Sequence, residues 1–310
     1  MESQVSQIAQ LDYLFEEPRK SIWNYFRPLR PQHWMKNLLV FVPLFAAHRF
    51  NEPGLWGKSL IAFLAFGCCA SSGYLFNDIL DLAADRHHPR KRLRPFASGD
   101  LPLSYGLAMI PLLAVVGGLL GALVGRLFLA ALSLYFVLTV AYSLRIKKIV
   151  LLDVNILAGL YTLRIMAGSA AVAIWPSPWL LAFSMLFFIS LAFIKRYSEL
   201  VTMRTVEGDT AKARSYELSD AELLAAKGTA SGYLAVLVLA LYITSGAAEV
   251  LYGRHQLLWF LCPLLLYWIG RAWLIAHRGK MDDDPVVFAT QDRTSLTLIL
   301  LMLLTVVVAS

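Results

Sequence analysis

Cysteine is scarce in this sequence, three residues in 310, and Cys68 and Cys69 are adjacent inside one apolar run while Cys262 sits inside another. That distribution excludes a disulfide framework and a zinc-ligand spacing. Charge is scarce as well: 16% of residues are charged, against about a quarter in ordinary soluble domains. With 58% hydrophobic residues and a mean hydropathy of +0.60, a soluble domain is excluded and a polytopic membrane protein is expected. The first thirty residues lack an apolar core bounded by a small-residue cleavage site, so no signal peptide is expected there.

What is present is a series of apolar stretches near the length that spans a bilayer. Nine are expected: Leu38 to Ala47, short and extended by its flanks, then Leu55 to Phe76, Leu103 to Gly125, Leu127 to Leu144, Val150 to Val172, Pro178 to Ile194, Gly228 to Val250, Gln256 to His277 and Thr294 to Ser310. Basic residues crowd into alternate connections, whereas the opposite side carries only Arg49, Lys58, Arg126 and Arg254. This bias places the N-terminus and the loop after the second stretch in the cytoplasm, and an odd span count places the C-terminus outside. The net charge of +7 is thereby explained by topology and by attraction to anionic headgroups and polyanionic substrates, which argues against nucleic acid. The expected architecture is all-α: about nine transmembrane helices in a single bundle around a cytoplasm-facing cavity. Residues 1–33 form a cytoplasmic segment and 34–310 the transmembrane domain.

The stretch with the densest chemistry is Asn77 to Gly99, NDILDLAADRHHPRKRLRPFASG, which closes the second apolar run. Charges gathered at the end of a hydrophobic span are costly and mark function. If the helix continues through Asp85, then Asp78, Asp81 and Asp85 share one face at i, i+3 and i+7. Converging carboxylates call for a multivalent cation, and hard oxygen ligands suit Mg²⁺ shared with substrate phosphates. Directly behind them, Arg86, His87, His88, Arg90, Lys91, Arg92 and Arg94 supply anion binding. The alternative is an ordinary loop whose charges only fix topology.

Asn77, Asp78, Asp81, Asp85, His88, Pro89, Lys91, Arg94, Pro95, Ser98 and Gly99 resemble the pattern NDxxDxxxDxxHPxKxxRPxxSG of the UbiA-type intramembrane transferase superfamily, in particular its polyprenyl-phosphate (decaprenyl-phosphate) phosphoribosyltransferase branch. The resemblance continues upstream through RPxQWxKNLLVF, with Lys36 and Asn37 as phosphate contacts. Downstream, Tyr142, Lys147 and Asp153 resemble YSxxLKxxxxxDV, with Ile146 where the branch has Leu. Tyr161 and Arg164 fit LAxxYxLRxxAG, and Lys195 and Arg196 fit KRYxEL. Asp153 and Arg164 lie within a span, where a charge needs a counter-charge or a wet cavity. For Asp153 a structural pair with Lys147 is the plain alternative, and for Arg164 a pair with an acid on a neighbouring span. Ser219-Asp220-Ala221-Glu222 has the form of a capping box. Asp282-Asp283-Asp284-Pro285 is expected to cap the last helix, outside the main site.

Acidic motifs that hold Mg²⁺ on a diphosphate predict a transferase with pyrophosphate as leaving group. Two donors fit the residues: a prenyl diphosphate attacked by an aromatic acid, or 5-phosphoribosyl diphosphate attacked by a lipid phosphate. The resemblance implies the second, with a polyprenyl phosphate acceptor and a polyprenyl-phosphoryl-5-phosphoribose product that feeds cell-envelope arabinose. It assigns Mg²⁺ to Asn77, Asp78, Asp81 and Asp85, catalysis to those aspartates with Asp153, and substrate binding to Lys36, Asn37, Asn77, His88, Lys91, Arg94, Tyr142, Lys147, Tyr161, Arg164, Lys195 and Arg196. A multi-pass protein of the inner membrane is implied, and a homo-oligomer is compatible with it. A transporter is the non-enzymatic alternative, disfavoured because the far side carries no matching polar set.

Overall fold

The computed structural model describes residues 25–87, 91–207, 212–213, 215–281 and 284–310. His88, Asp282 and Asp283 lie outside the described residues. The main helices are α1 (Pro53–Leu80), α2 (Leu82–His87), α3 (Leu103–Val124), α4 (Arg126–Leu144), α5 (Leu152–Val172), α6 (Pro178–Glu207), α7 (Ala221–Ile243), α8 (Leu261–His277), α9 (Pro285–Gln291) and α10 (Arg293–Ala309). A two-residue hairpin, β1 (Lys212–Ala213) with β2 (Tyr216–Glu217), interrupts the loop between α6 and α7.

Among the described residues seven helices are long and apolar enough to cross a membrane, and α9 with α10, bent by 85°, makes a further broken candidate. The protein is therefore a multi-pass helical membrane protein, but the expected count of nine is not reproduced. The difference lies at the first stretch. Pro31–Phe41 is a 3-10 helix that continues into a short α-helix, Val42–Ala46. A 3-10 helix rises about 2.0 Å per residue against about 1.5 Å for an α-helix, so this rod reaches farther than its residue number suggests.

Position in the bundle follows side-chain size. The apolar windows of α1 and α5 are 61% and 67% buried, whereas that of α3 is 11% buried and turns Leu107, Leu119 and Leu123 outward. In α1 the run Gly67-Cys68-Cys69-Ala70-Ser71-Ser72-Gly73 keeps the backbone accessible to its neighbours. Gly168 of α5 allows the closest approach, since a Cβ there would lie 2.1 Å from the Val40 carbonyl oxygen. The rod carrying Lys36 and Asn37 is thus wedged against α5 and tied to α1 by the Trp34 indole, which donates to Ser71 Oγ at 3.0 Å. As a result, the end of α1, the start of α5, the end of α6 and the rod meet at one end of the bundle.

Candidate active site

The acidic motif forms where α1 stops. Asp81 leaves helical geometry (φ −90°, ψ 6°), its amide bonding back to Asn77, and α2 resumes one residue later. The helix expected to run unbroken through Asp85 is therefore broken at the middle aspartate, and the three carboxylates divide. Asp78 and Asp85, both buried, share Nη1 of Arg94 at 3.1 and 2.6 Å. Asp81 turns instead to Lys147, whose Nζ lies 2.6 and 2.8 Å from its two oxygens and 3.0 Å from Asn77 Oδ1. Repulsion among the aspartates is relieved by protein cations in this arrangement.

Arg30 completes this group and was not anticipated. It occupies the left-handed region (φ 51°, ψ 57°) between two 3-10 turns, a conformation that strains a non-glycine residue. The turn delivers its guanidinium to Asp78 Oδ1 at 2.6 Å and over the Tyr74 ring at 5.3 Å. Its only sequence signal was its place at the head of the Arg-Pro motif. Arg30, Arg94, Lys91, Arg27, His33 and Asp78 line a cavity of about 330 Å³. This basic cavity beside the aspartates is suited to a polyanion.

Asp153 behaves differently. Its exposure is 0%; Oδ1 accepts the Tyr216 hydroxyl at 2.6 Å, and Oδ2 pairs with Arg196 Nε. Lys147, the partner considered from sequence, is committed to Asp81 instead. Arg196 donates further to Tyr142 at 2.6 Å and to Glu199, so all three of its nitrogens are engaged. The Tyr216 hydroxyl also accepts the Leu151 amide at 2.8 Å, and Leu151 is another non-glycine residue with positive φ (65°). Burial, with the bond to Asp153, pushes the Tyr216 phenol well above its usual range, so it stays a donor. The α6–α7 loop thus inserts a tyrosine into the site. The reciprocal capping box in this loop joins Glu217 and Asp220, ahead of the tetrapeptide expected from sequence.

Arg164 is buried and has no acidic partner among the described residues; it donates to Asn37 Oδ1 (3.0 Å), Leu160 O (2.7 Å) and Tyr135 Oη (2.8 Å). Its guanidinium stands 4.6 Å from the Tyr135 ring centre and 5.6 Å from that of Tyr161. Asn37 Nδ2 has no hydrogen-bond partner among the described residues. Lys36 lies over Tyr161 and pairs with Asp284, which Lys195 also approaches at 3.7 Å. Asp284, expected to cap the last helix and to lie outside the main site, instead caps the short α9 before it, Asp292 caps α10, and the Asp284 carboxylate joins the lysines of the site. Burial works against the Asp284 carboxylate, yet Lys36 and Lys195 hold it well below the usual range.

No group of three or more His, Cys, Asp or Glu side chains able to hold a metal ion is assembled among the described residues. The donor chemistry nevertheless fits Mg²⁺, which takes one or two carboxylates and leaves its other positions to phosphate and water. Asp78 and Asp85 already flank one cationic nitrogen.

A sequence model described as the UbiA prenyltransferase family matches residues 38–296. Nodulation protein NoeC of Azorhizobium caulinodans is 38% identical over 281 residues, covering 89% of this chain and 90% of NoeC. The uncharacterized protein y4nM of Sinorhizobium fredii is 36% identical over 282 residues, covering 90% of this chain; the chain spans 54% of that longer relative. Decaprenyl-phosphate phosphoribosyltransferase of Corynebacterium glutamicum is 33% identical over 191 residues, covering 60% of this chain and 57% of that protein. Among solved structures, a UbiA homolog from Archaeoglobus fulgidus bound to GPP and Mg²⁺ superposes with a TM-score of 0.66 at 14% identity, covering 92% of this chain and 99% of that one, which shows the fold. The chain belongs to the UbiA prenyltransferase family, an enzyme family of multi-pass membrane proteins.

Proposed function

We propose that the protein transfers 5-phosphoribose from 5-phosphoribosyl 1-diphosphate to a polyprenyl phosphate, releasing pyrophosphate and giving polyprenyl-phosphoryl-5-phosphoribose. The observation that carries this is the presence of two cationic groups: Arg30, Arg94 and Lys91 around the acidic motif, and Lys36 with Lys195 around Asp284. A prenyl diphosphate with an aromatic acid brings one diphosphate to the first and no more than a single carboxylate to the second. A phosphorylated sugar diphosphate and a lipid phosphate need both. Support also comes from the relatives called decaprenyl-phosphate phosphoribosyltransferases.

Bound Mg²⁺, held by Asp78 and Asp85 with Asn77 and Asp81, would neutralise charge on the departing pyrophosphate. Arg30 and Arg94 exchange their carboxylate partners for phosphate oxygens of the donor, Arg by its planar fork. Lys147 keeps Asn77 and Asp81 oriented, and the Asp153–Arg196–Tyr142 group fixes the start of α5 against α6. The acceptor oxygen is ionised at neutral pH and needs no general base, so catalysis consists of positioning and charge neutralisation. The motif end faces the cytoplasm of the inner membrane, where the soluble donor enters.

Purified protein with Mg²⁺ is the test. Pyrophosphate release that requires both 5-phosphoribosyl diphosphate and a polyprenyl phosphate is the expected result. Turnover only with a prenyl diphosphate and an aromatic acid would replace this function with the other family chemistry.

A further inference from the structure

Asp284 follows Lys36 by 248 positions, yet its carboxylate is buried between the amino groups of Lys36 and Lys195. Both amines address one oxygen, Oδ2, while Oδ1 accepts the Val286 backbone N–H at 3.0 Å. The two oxygens have different tasks. Oδ1 fixes the start of α9; Oδ2 gathers two ammonium groups that would otherwise repel. Asp284 alone faces both amines, while Glu199, which pairs with Arg196, is a further acid within electrostatic reach of Lys195. His33 has its Nδ1 buried with no hydrogen-bond partner among the described residues, lines the cavity of Arg30, Arg94 and Asp78, and lies within electrostatic reach of Asp284. It marks the boundary between two cationic groups. On the lysine side, Lys36 Nζ lies 5.5 Å from the centre of the Tyr161 ring, which stacks on Phe188 at 4.7 Å and forms an apolar wall.

We propose that Lys36 and Lys195 form the site for the phosphate of the lipid acceptor, and that Asp284 is a built-in anion that holds both lysines in place until that phosphate displaces it. This rests on the phosphoribosyl-transfer function above. A phosphate presents several oxygens to the two amines, which now share one carboxylate oxygen. The lysines are the moving parts, because Asp284 is pinned by the Val286 N–H and precedes Pro285, whose ring restricts the backbone. Isoprenoid carbon next to the phosphate finds the Tyr161–Phe188 wall. Acceptor and pyrophosphate, both anions, are then neutralised on opposite sides of His33.

Asp284→Asn keeps the helix cap, since Asn caps as well as Asp, and removes the charge. Phytyl phosphate is titrated against the purified protein with thermal unfolding as readout and no sugar donor present. The variant binds about tenfold more tightly than the native protein, and adding Lys36→Gln abolishes the gain. Unchanged or weaker binding by folded Asp284→Asn overturns the proposal. Lys195→Gln, which leaves the Lys36–Asp284 pair intact, must weaken phytyl phosphate binding about tenfold; unchanged affinity there overturns it as well. Protein that binds phytyl phosphate in this pattern but releases no pyrophosphate from 5-phosphoribosyl diphosphate keeps the phosphate site and loses the transfer reaction.

Discussion

Asp78 and Asp153 are both buried aspartates at helix ends and both pair with arginine, but their surroundings differ. The arginines on Asp78 remain partly open, with side-chain exposures of 19% for Arg30 and 24% for Arg94, and they border the basic cavity. The Asp153–Arg196 pair is sealed at 1% and 0%, with both carboxylate oxygens and every guanidinium nitrogen occupied. An open ion network can trade protein partners for substrate phosphate and metal at little cost. A sealed pair with every polar atom satisfied resists exchange, because separating it strands a buried charge, whereas the buried Lys36–Asp284 pair stays reachable through the partly open Lys195. Under the proposed function the open network serves the chemistry and the sealed pair holds the geometry, although the sequence resemblance assigned both aspartates a catalytic role.

Substitutions at the two places should therefore fail in different ways. Asp78→Asn should lower turnover by at least about a thousandfold, the loss expected when charge stabilisation of a leaving group is removed, with only a small change in unfolding temperature. Asp153→Asn should instead cost about 3–5 kcal/mol of stability, read by denaturation in detergent. Equal stability losses in the two variants would erase the distinction. Tyr216→Phe sharpens it further: loss of one hydrogen bond to Asp153 and one from Leu151 should cost about 1–3 kcal/mol, with lower turnover but unchanged KM for the diphosphate. Lys91→Gln, at the cavity rim, has the smallest expected effect, a KM for the diphosphate raised about tenfold with kcat within about twofold.

How much of this was legible beforehand depends on where each residue sits. The bundle and the acidic motif were readable because charge at the end of an apolar run is so costly. The break at Asp81 was not, since Asn77 to Asp85 reads as acceptable helix and the turn toward Lys147 is a tertiary contact made across 66 positions. Arg30 looked like one topology charge among several, and its left-handed backbone is visible only in three dimensions. Tyr216 lay in a polar loop that composition assigns to solvent. Asp284 was recognised as a cap, of the last helix rather than of the short α9, and capping takes one of its oxygens. The other depends on a lysine from the opposite end of the chain.

The open network can be probed without turnover by paramagnetic resonance of Mn²⁺ in place of Mg²⁺, titrated into the purified protein with and without pyrophosphate. Tight Mn²⁺ binding that requires pyrophosphate, survives Tyr216→Phe and disappears in Asp78→Asn is the expected result. Pyrophosphate-dependent Mn²⁺ binding that is identical in folded Asp78→Asn would contradict the assignment of the acidic motif as the place where metal and diphosphate meet.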